Sequence, residues 1–208
     1  MPDTTNNMAL WSAVEKTDPA HTKHVAQRGG FTSIDAQYQV MRATEVFGPV
    51  GVGWGYDVEY LDLHISNQVL IGAQVTVWHG NRENRFGPVM GCNALVNDKG
   101  RTDEDAPKKA MTDGLTKALS HLGFSADVFL GRYDDNKYVA TVKAESEAAK
   151  LEKTGAVPEE VKAMLDAFRG SDDTPRDWWK RNKAEIDALP VTAKNWLQVK
   201  MQEPKKAT

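Results

Sequence analysis

A single cysteine, Cys92, in 208 residues excludes an intrachain disulfide and any Cys-rich zinc site, as expected of a reducing compartment. Of the five histidines only His21 and His24 lie close together, without Cys or Asp at ligand spacing, so no metal is expected. No apolar run approaches the roughly 18 to 20 residues that cross a bilayer, and the stretch from Met1 to Asn7 is polar, unlike a signal peptide. The expected location is the cytoplasm, with no membrane partner. Positive charge is also scarce: 26 Lys and Arg against 29 Asp and Glu leave a net charge of −3, and the whole chain does not announce a polyanionic ligand. Residues 1–145 carry 14 cations against 18 anions and residues 146–208 carry 12 against 11, so a nucleic-acid site would have to be a local groove.

Chemistry-bearing motifs are equally sparse. No glycine-rich loop ends in Gly-Lys-Ser or Gly-Lys-Thr, so ATP is not expected. Gly48, Gly51, Gly53 and Gly55 precede a strand instead of joining a strand to a helix, and they read as turn and bulge glycines, not a dinucleotide fingerprint. There is no Gly-x-Ser-x-Gly elbow and no His-Glu-x-x-His helix, and Cys92 sits in a strand pattern, where it is expected to be buried. The acidic clusters Asp103-Glu104-Asp105 and Asp134-Asp135 could hold magnesium in a nuclease, but caps and solvated loops explain them more simply. The chain reads as a non-enzyme without cofactor.

The remaining pattern is that of an α+β protein. Residues 1–30 suggest a mobile arm or short helix, Met8 to Lys16 being the helical part. Ile34, Tyr38, Met41, Ala43 and Val46 make a helical stripe that Ser33 could cap and Gly48-Pro49 ends. Trp54, Tyr56, Val58 and Tyr60 alternate with polar residues, Val69 to His79 is β-branched, and Phe86 to Val96 follows a turn at Gly80-Asn81. Three strands joined this closely predict an antiparallel meander. Asp105 and Pro107 then open a helix over 106–122, with Met111, Leu115, Ala118, Leu119 and Leu122 as its apolar face and Gly123 as its stop. The compact domain is expected to span 31–140, followed by a helical linker (141–157) and a helical appendage (158–208) with a small core of Trp178, Trp179, Ile186, Leu189, Trp196 and Val199. No repeat of the usual solenoid period is visible.

Three segments carry a more specific signal: the run from Tyr38 to Gly48 (Tyr-Gln-Val-Met-Arg-Ala-Thr-Glu-Val-Phe-Gly), then Gly53-Trp54, then Lys108-Lys109-Ala110-Met111-Thr112-Asp113-Gly114-Leu115-Thr116-Lys117-Ala118-Leu119 with Gly123. In this order they resemble the annealing domain of the Rad-fifty-two-type proteins, closest to their phage relatives, over about half the chain. The resemblance implies a β-β-β-α domain preceded by a helix. It further implies assembly into rings or helical filaments, and single-stranded DNA held by its phosphates in an outer basic groove, for cofactor-free annealing in recombination. A phage protein acting in a bacterial cell would work on strands that an exonuclease exposes. The appendage would suit docking of that exonuclease or of a single-strand-binding protein.

By the same resemblance Lys108 and Lys117 are groove residues, and Arg132 is another just beyond the helix. Thr116 and Ser120 stand where other members carry cations, and Tyr38 replaces a further one. The missing charge could be redistributed onto Lys109, Arg42, Arg82, Arg85, Lys99 and Arg101. Ordinary causes compete at each: Lys109 and Lys117 lie four residues from Asp113 and could form helix-surface pairs, Arg82 and Arg85 flank a turn, and Lys99 and Arg101 lie in a loop. Phe47, Trp54, Leu115 and Leu119 read as core, with base stacking a lesser role for Trp54. Phe129 reads as core or as a wedge between bases. Gly114 costs about 1 kcal/mol in mid-helix, which predicts close approach to the sheet, and Asp113 should bond a neighbouring segment. Passive protection of single strands, or an adaptor or small enzyme without DNA binding, are the competing functions.

Overall fold

The computed structural model describes residues 6–26, 29–66, 68–96 and 100–204. Two compact units divide the chain, Met1–Tyr133 and Asp134–Thr208. The first is α+β. Its centre is a three-stranded antiparallel sheet of β3 (Trp54–Ile65), β4 (Gln68–His79) and β5 (Asn81–Ala94), with β4 in the middle. The first two strands pair without interruption from Trp54 opposite His79 to Ile65 opposite Gln68. The second pairing is broken by bulges between Val75 and Val77 and between Trp78 and His79.

Helix α3 (Ala106–His121) lies across β4 and β5, and α2 (Ala36–Phe47) packs beside it. Between them Ala43, Trp54, Val75, Val77, Leu115, Ala118, Leu119 and Phe124 form one core. The strand residues in that core lie two apart and the α3 residues three and four apart, the spacings that bring side chains to one face of each element. Helix α3 begins at Ala106, yet the Asp105 carboxylate makes no capping bond to the helix; the loop instead closes through Asp103, whose carboxylate accepts from Asp105 N at 3.2 Å.

Several sequence expectations change here. Ser33 does not cap α2. Phe31–Ile34 is strand β2, which pairs with β1 (Thr22–Val25), and Asp35 caps the helix by accepting from Gln37 N at 3.0 Å. Met41 and Val46 are exposed, and the buried face of α2 is Tyr38, Gln39 and Ala43. Of the two readings of residues 1–30, the described residues show the short helix: α1 (Ala9–Val14) buries Val14, and beyond it Thr17 is wholly buried. The cause is distant in sequence. Asp127 accepts from Thr17 N at 2.9 Å and Thr17 Oγ1 at 2.6 Å, and Asp127 N donates to Glu15 O. Cys92 is exposed, because the face of β5 that packs on α3 is the other one.

Among its described residues the second unit has helices and no strand. Helix α5 (Asn136–Lys153) begins before residue 140, and the segment expected to be a linker contributes Ala148 and Leu151 to the helical core. Helices α6 (Glu159–Arg169), α7 (Pro175–Arg181), α8 (Lys183–Ala188) and α9 (Val191–Gln202) complete it. Trp178, Ile186 and Trp196 are buried there and Trp179, Leu189 and Val199 partly so, joined by Val157, Val161, Leu165, Phe168 and Leu197. The span 176–189 is two helices because Asn182 leaves the helical conformation and bonds Trp178 O through its side chain. Among the described residues no helix is long and apolar enough to cross a membrane.

Candidate nucleic-acid interface

The exposed crest of α3 is polar. Its helical period sets Lys109, Thr116 and Ser120 along the middle, with Lys108 on one flank and Lys117 on the other. Two glycines position this face. A Cβ on Gly114 would lie 2.7 Å from Val75 Cγ2 and 3.1 Å from Gly91 N, and one on Gly91 would lie 2.1 Å from Ala110 O. Helix and strand therefore touch backbone to backbone, and the crest sits low over the β5 edge. Asp113 ties it there, accepting from Cys92 N at 3.2 Å and from Lys117 Nζ at 2.6 Å.

The cations of this crest are neutralised locally. Lys108 meets Asp105 at 3.3 Å, Lys117 meets Asp113, and Lys109 meets Asp103 at 2.6 Å instead of Asp113. The Lys109 hydrogen bond holds the Asp103 carboxyl below its usual range, and the same bond raises the Lys109 ammonium. Asp103 also accepts from Asn93 Nδ2, so this pair anchors the loop before α3 to β5.

The other candidates fall into two separate places. At the β4–β5 turn, Arg85 pairs with Asp57 at 2.6 Å and Arg82 stacks over the Trp78 ring at 4.8 Å. Beside the N-terminal segment, Arg42 pairs with Glu45 and donates to Ala13 O, while Arg132 lies 3.7 Å from Glu15. Arg101 is exposed, and Lys99 lies outside the described residues. Thr116 is half-buried on α3. Trp54 is fully buried, its indole N–H donating to Thr44 Oγ1, which leaves no face for a base. Phe47 is packed between His79 and Phe124. Tyr38, which stands where other members carry a cation, is buried against His21, its hydroxyl accepts from Asp18 N, and burial pushes its pKa up.

Sequence reasoning undervalued two features. Phe129 and Leu130 are half-exposed or more, next to Arg132, since the turn of helix α4 (Ala126–Phe129) spends its inward positions on Ala126 and Asp127. Asp127 carries no signal of its clasp on the N-terminal segment, since both of its bonds with Thr17 span 110 residues. No family model matches this chain, and no curated protein matches it.

Proposed function

We propose that this chain binds single-stranded DNA through its first unit and promotes annealing of complementary strands without nucleotide hydrolysis, as a homo-oligomer. One observation carries the reading. The three motif segments, separated in sequence, converge on a single core through Phe47, Trp54, Leu115 and Leu119, while the motif's Lys108, Thr116 and Lys117 stay at the surface. This is the division of labour that a backbone-gripping groove needs: an apolar side to fix the helix, and a polar side that leaves base edges free. The exposed Phe129 and Leu130 beside Arg132 add an apolar element that could unstack successive bases.

Two features favour assembly of copies. Strands β3 and β5 are the outer strands of the sheet, and Leu61, Leu63, Leu70 and Met90 lie partly exposed on the face turned away from α3. Open edges and apolar faces promote association. The second reading, an adaptor that does not bind DNA, is favoured by the acid beside each of Lys108, Lys109, Lys117, Arg42, Arg85 and Arg132. In the annealing reading phosphates displace these acids, since ion pairs at the solvent-exposed surface are weak and screened by salt.

Binding to a labelled 40-nucleotide single strand at low salt decides between the two, because absence of binding leaves only the adaptor. The double variant Lys108→Ala/Lys117→Ala is expected to bind about tenfold more weakly and to lose about 1.4 units of the log-affinity against log-salt slope, with little change in thermal stability. Unaltered affinity would remove α3 from the interface. Asp105→Asn, which releases Lys108, is expected to tighten binding and steepen the slope. Acceleration of pairing between complementary oligonucleotides separates annealing from passive protection, which slows it.

A further inference from the structure

Five cations of the second unit are held by carboxylates: Lys162 with Glu159, Arg169 with Glu203, Arg181 with Asp173, Lys183 with Asp187, and Lys200 with both Glu152 and Glu203. Lys137, Lys143 and Lys153 have no carboxylate partner among the described residues, and neither do Arg176 and Lys180, which stand one turn apart on the exposed side of α7. Both line a groove of about 350 Å³ between α7 and α9. Its apolar surfaces come from Pro175, Trp179 and Met201, and Gln198 and Gln202 line the α9 side. Trp179 is only partly buried, and its indole N–H makes no hydrogen bond.

We propose that this α7–α9 groove is a docking site for an acidic peptide segment of a partner protein, anchored by one large apolar or aromatic side chain. The volume falls in the range of small-ligand pockets, about 300 to 1,000 Å³, which suits one or two side chains. An aromatic anchor against the partly exposed Trp179 and Pro175, over the buried Met201, would remove apolar surface from water on both partners. The two free cations, a turn apart, give the carboxylates of such a segment direct partners without breaking an existing ion pair. A nucleic-acid strand fits less well. The next cations along the chain, Arg181 and Lys183, are held by Asp173 and Asp187, so along α7 and α8 the free positive charge stops at Lys180. The inference does not rest on DNA binding by the first unit.

The test uses the full chain and a fluorescein-labelled hexapeptide of four aspartates followed by leucine and phenylalanine, read by anisotropy. Saturable binding is expected. It should weaken about tenfold or more in Arg176→Gln/Lys180→Gln, whose positions are exposed and leave the fold intact, and equally when serines replace the peptide's aspartates. Replacing the terminal phenylalanine by serine should cost a similar factor. No saturable binding, or equal affinity for the double variant, overturns the proposal. So does displacement of the peptide by a twelve-nucleotide thymidine strand, which would make the groove a nucleic-acid site.

Discussion

Replacing Gly91 by valine is expected to leave the first unit unfolded. Even the first carbon of a side chain there would lie 2.1 Å from Ala110 O and 2.2 Å from Gly114 N, both backbone atoms of α3. Neither can swing aside as a flexible side chain would. The helix cannot retreat as a body without giving up the Leu115, Ala118 and Leu119 contacts with the sheet. Gly91→Ala is therefore expected to cost about 3 kcal/mol or more, at the upper end of overpacking penalties. Gly114→Ala should be milder. Its nearest obstacle is the Val75 methyl at 2.7 Å, and relief of the glycine's helical penalty returns about 1 kcal/mol. Thermal unfolding followed by circular dichroism gives the ranking, and a Gly91→Ala midpoint equal to that of the unaltered protein would contradict the contact.

Asp127→Ala is expected to destabilise the first unit by about 3 kcal/mol, the scale of buried charged or hydrogen-bonded networks that lose one partner. The carboxylate is fully buried and accepts from Thr17 N, Thr17 Oγ1 and Val128 N. Its removal orphans the Thr17 amide and hydroxyl in a place water does not reach. The loss should be local first: Val14 and Thr17 leave together, and the segment before β1 becomes the earliest site of proteolysis. Tyr133, whose hydroxyl donates to Thr17 O, would loosen with it. Asp127→Asn keeps an acceptor for one of the two Thr17 bonds and is expected to lie between the two. A midpoint for Asp127→Ala within about 1 °C of the unaltered protein, with an equally resistant N-terminal segment, would show that the clasp contributes nothing.

The strongest periodicities were legible in the chain and the weakest were not. Strands β3 to β5 and helix α3 each repeat their apolar residues over enough turns or pleats to declare their type. The four residues of β2 do not, so Ile34 looked like the start of a helical stripe when it ends a strand. Helix α7 and helix α8 share one apolar pattern, and only the Asn182 side chain bonding back to Trp178 O separates them. For the candidate site, local pairs follow from spacing, as between Lys117 and Asp113 or Lys108 and Asp105. Pairs such as Arg85 with Asp57, Arg132 with Glu15 and Lys109 with Asp103 depend on how strands and loops are laid side by side. Those pairs decide how much free positive charge the surface offers, and net composition cannot report it.

By itself the sequence determined the α+β character of the first unit, the meander and its covering helix, because backbone periodicity and turn residues act over a few positions. A helical glycine at 114 likewise announced close packing. That Gly91 is its counterpart, that Asp127 holds the N-terminal segment, that Cys92 and Phe129 face outward and that Arg176 and Lys180 stand unpaired were decided only by the tertiary structure. Each depends on which distant surfaces meet, and burial and charge pairing are properties of that meeting, not of any one residue.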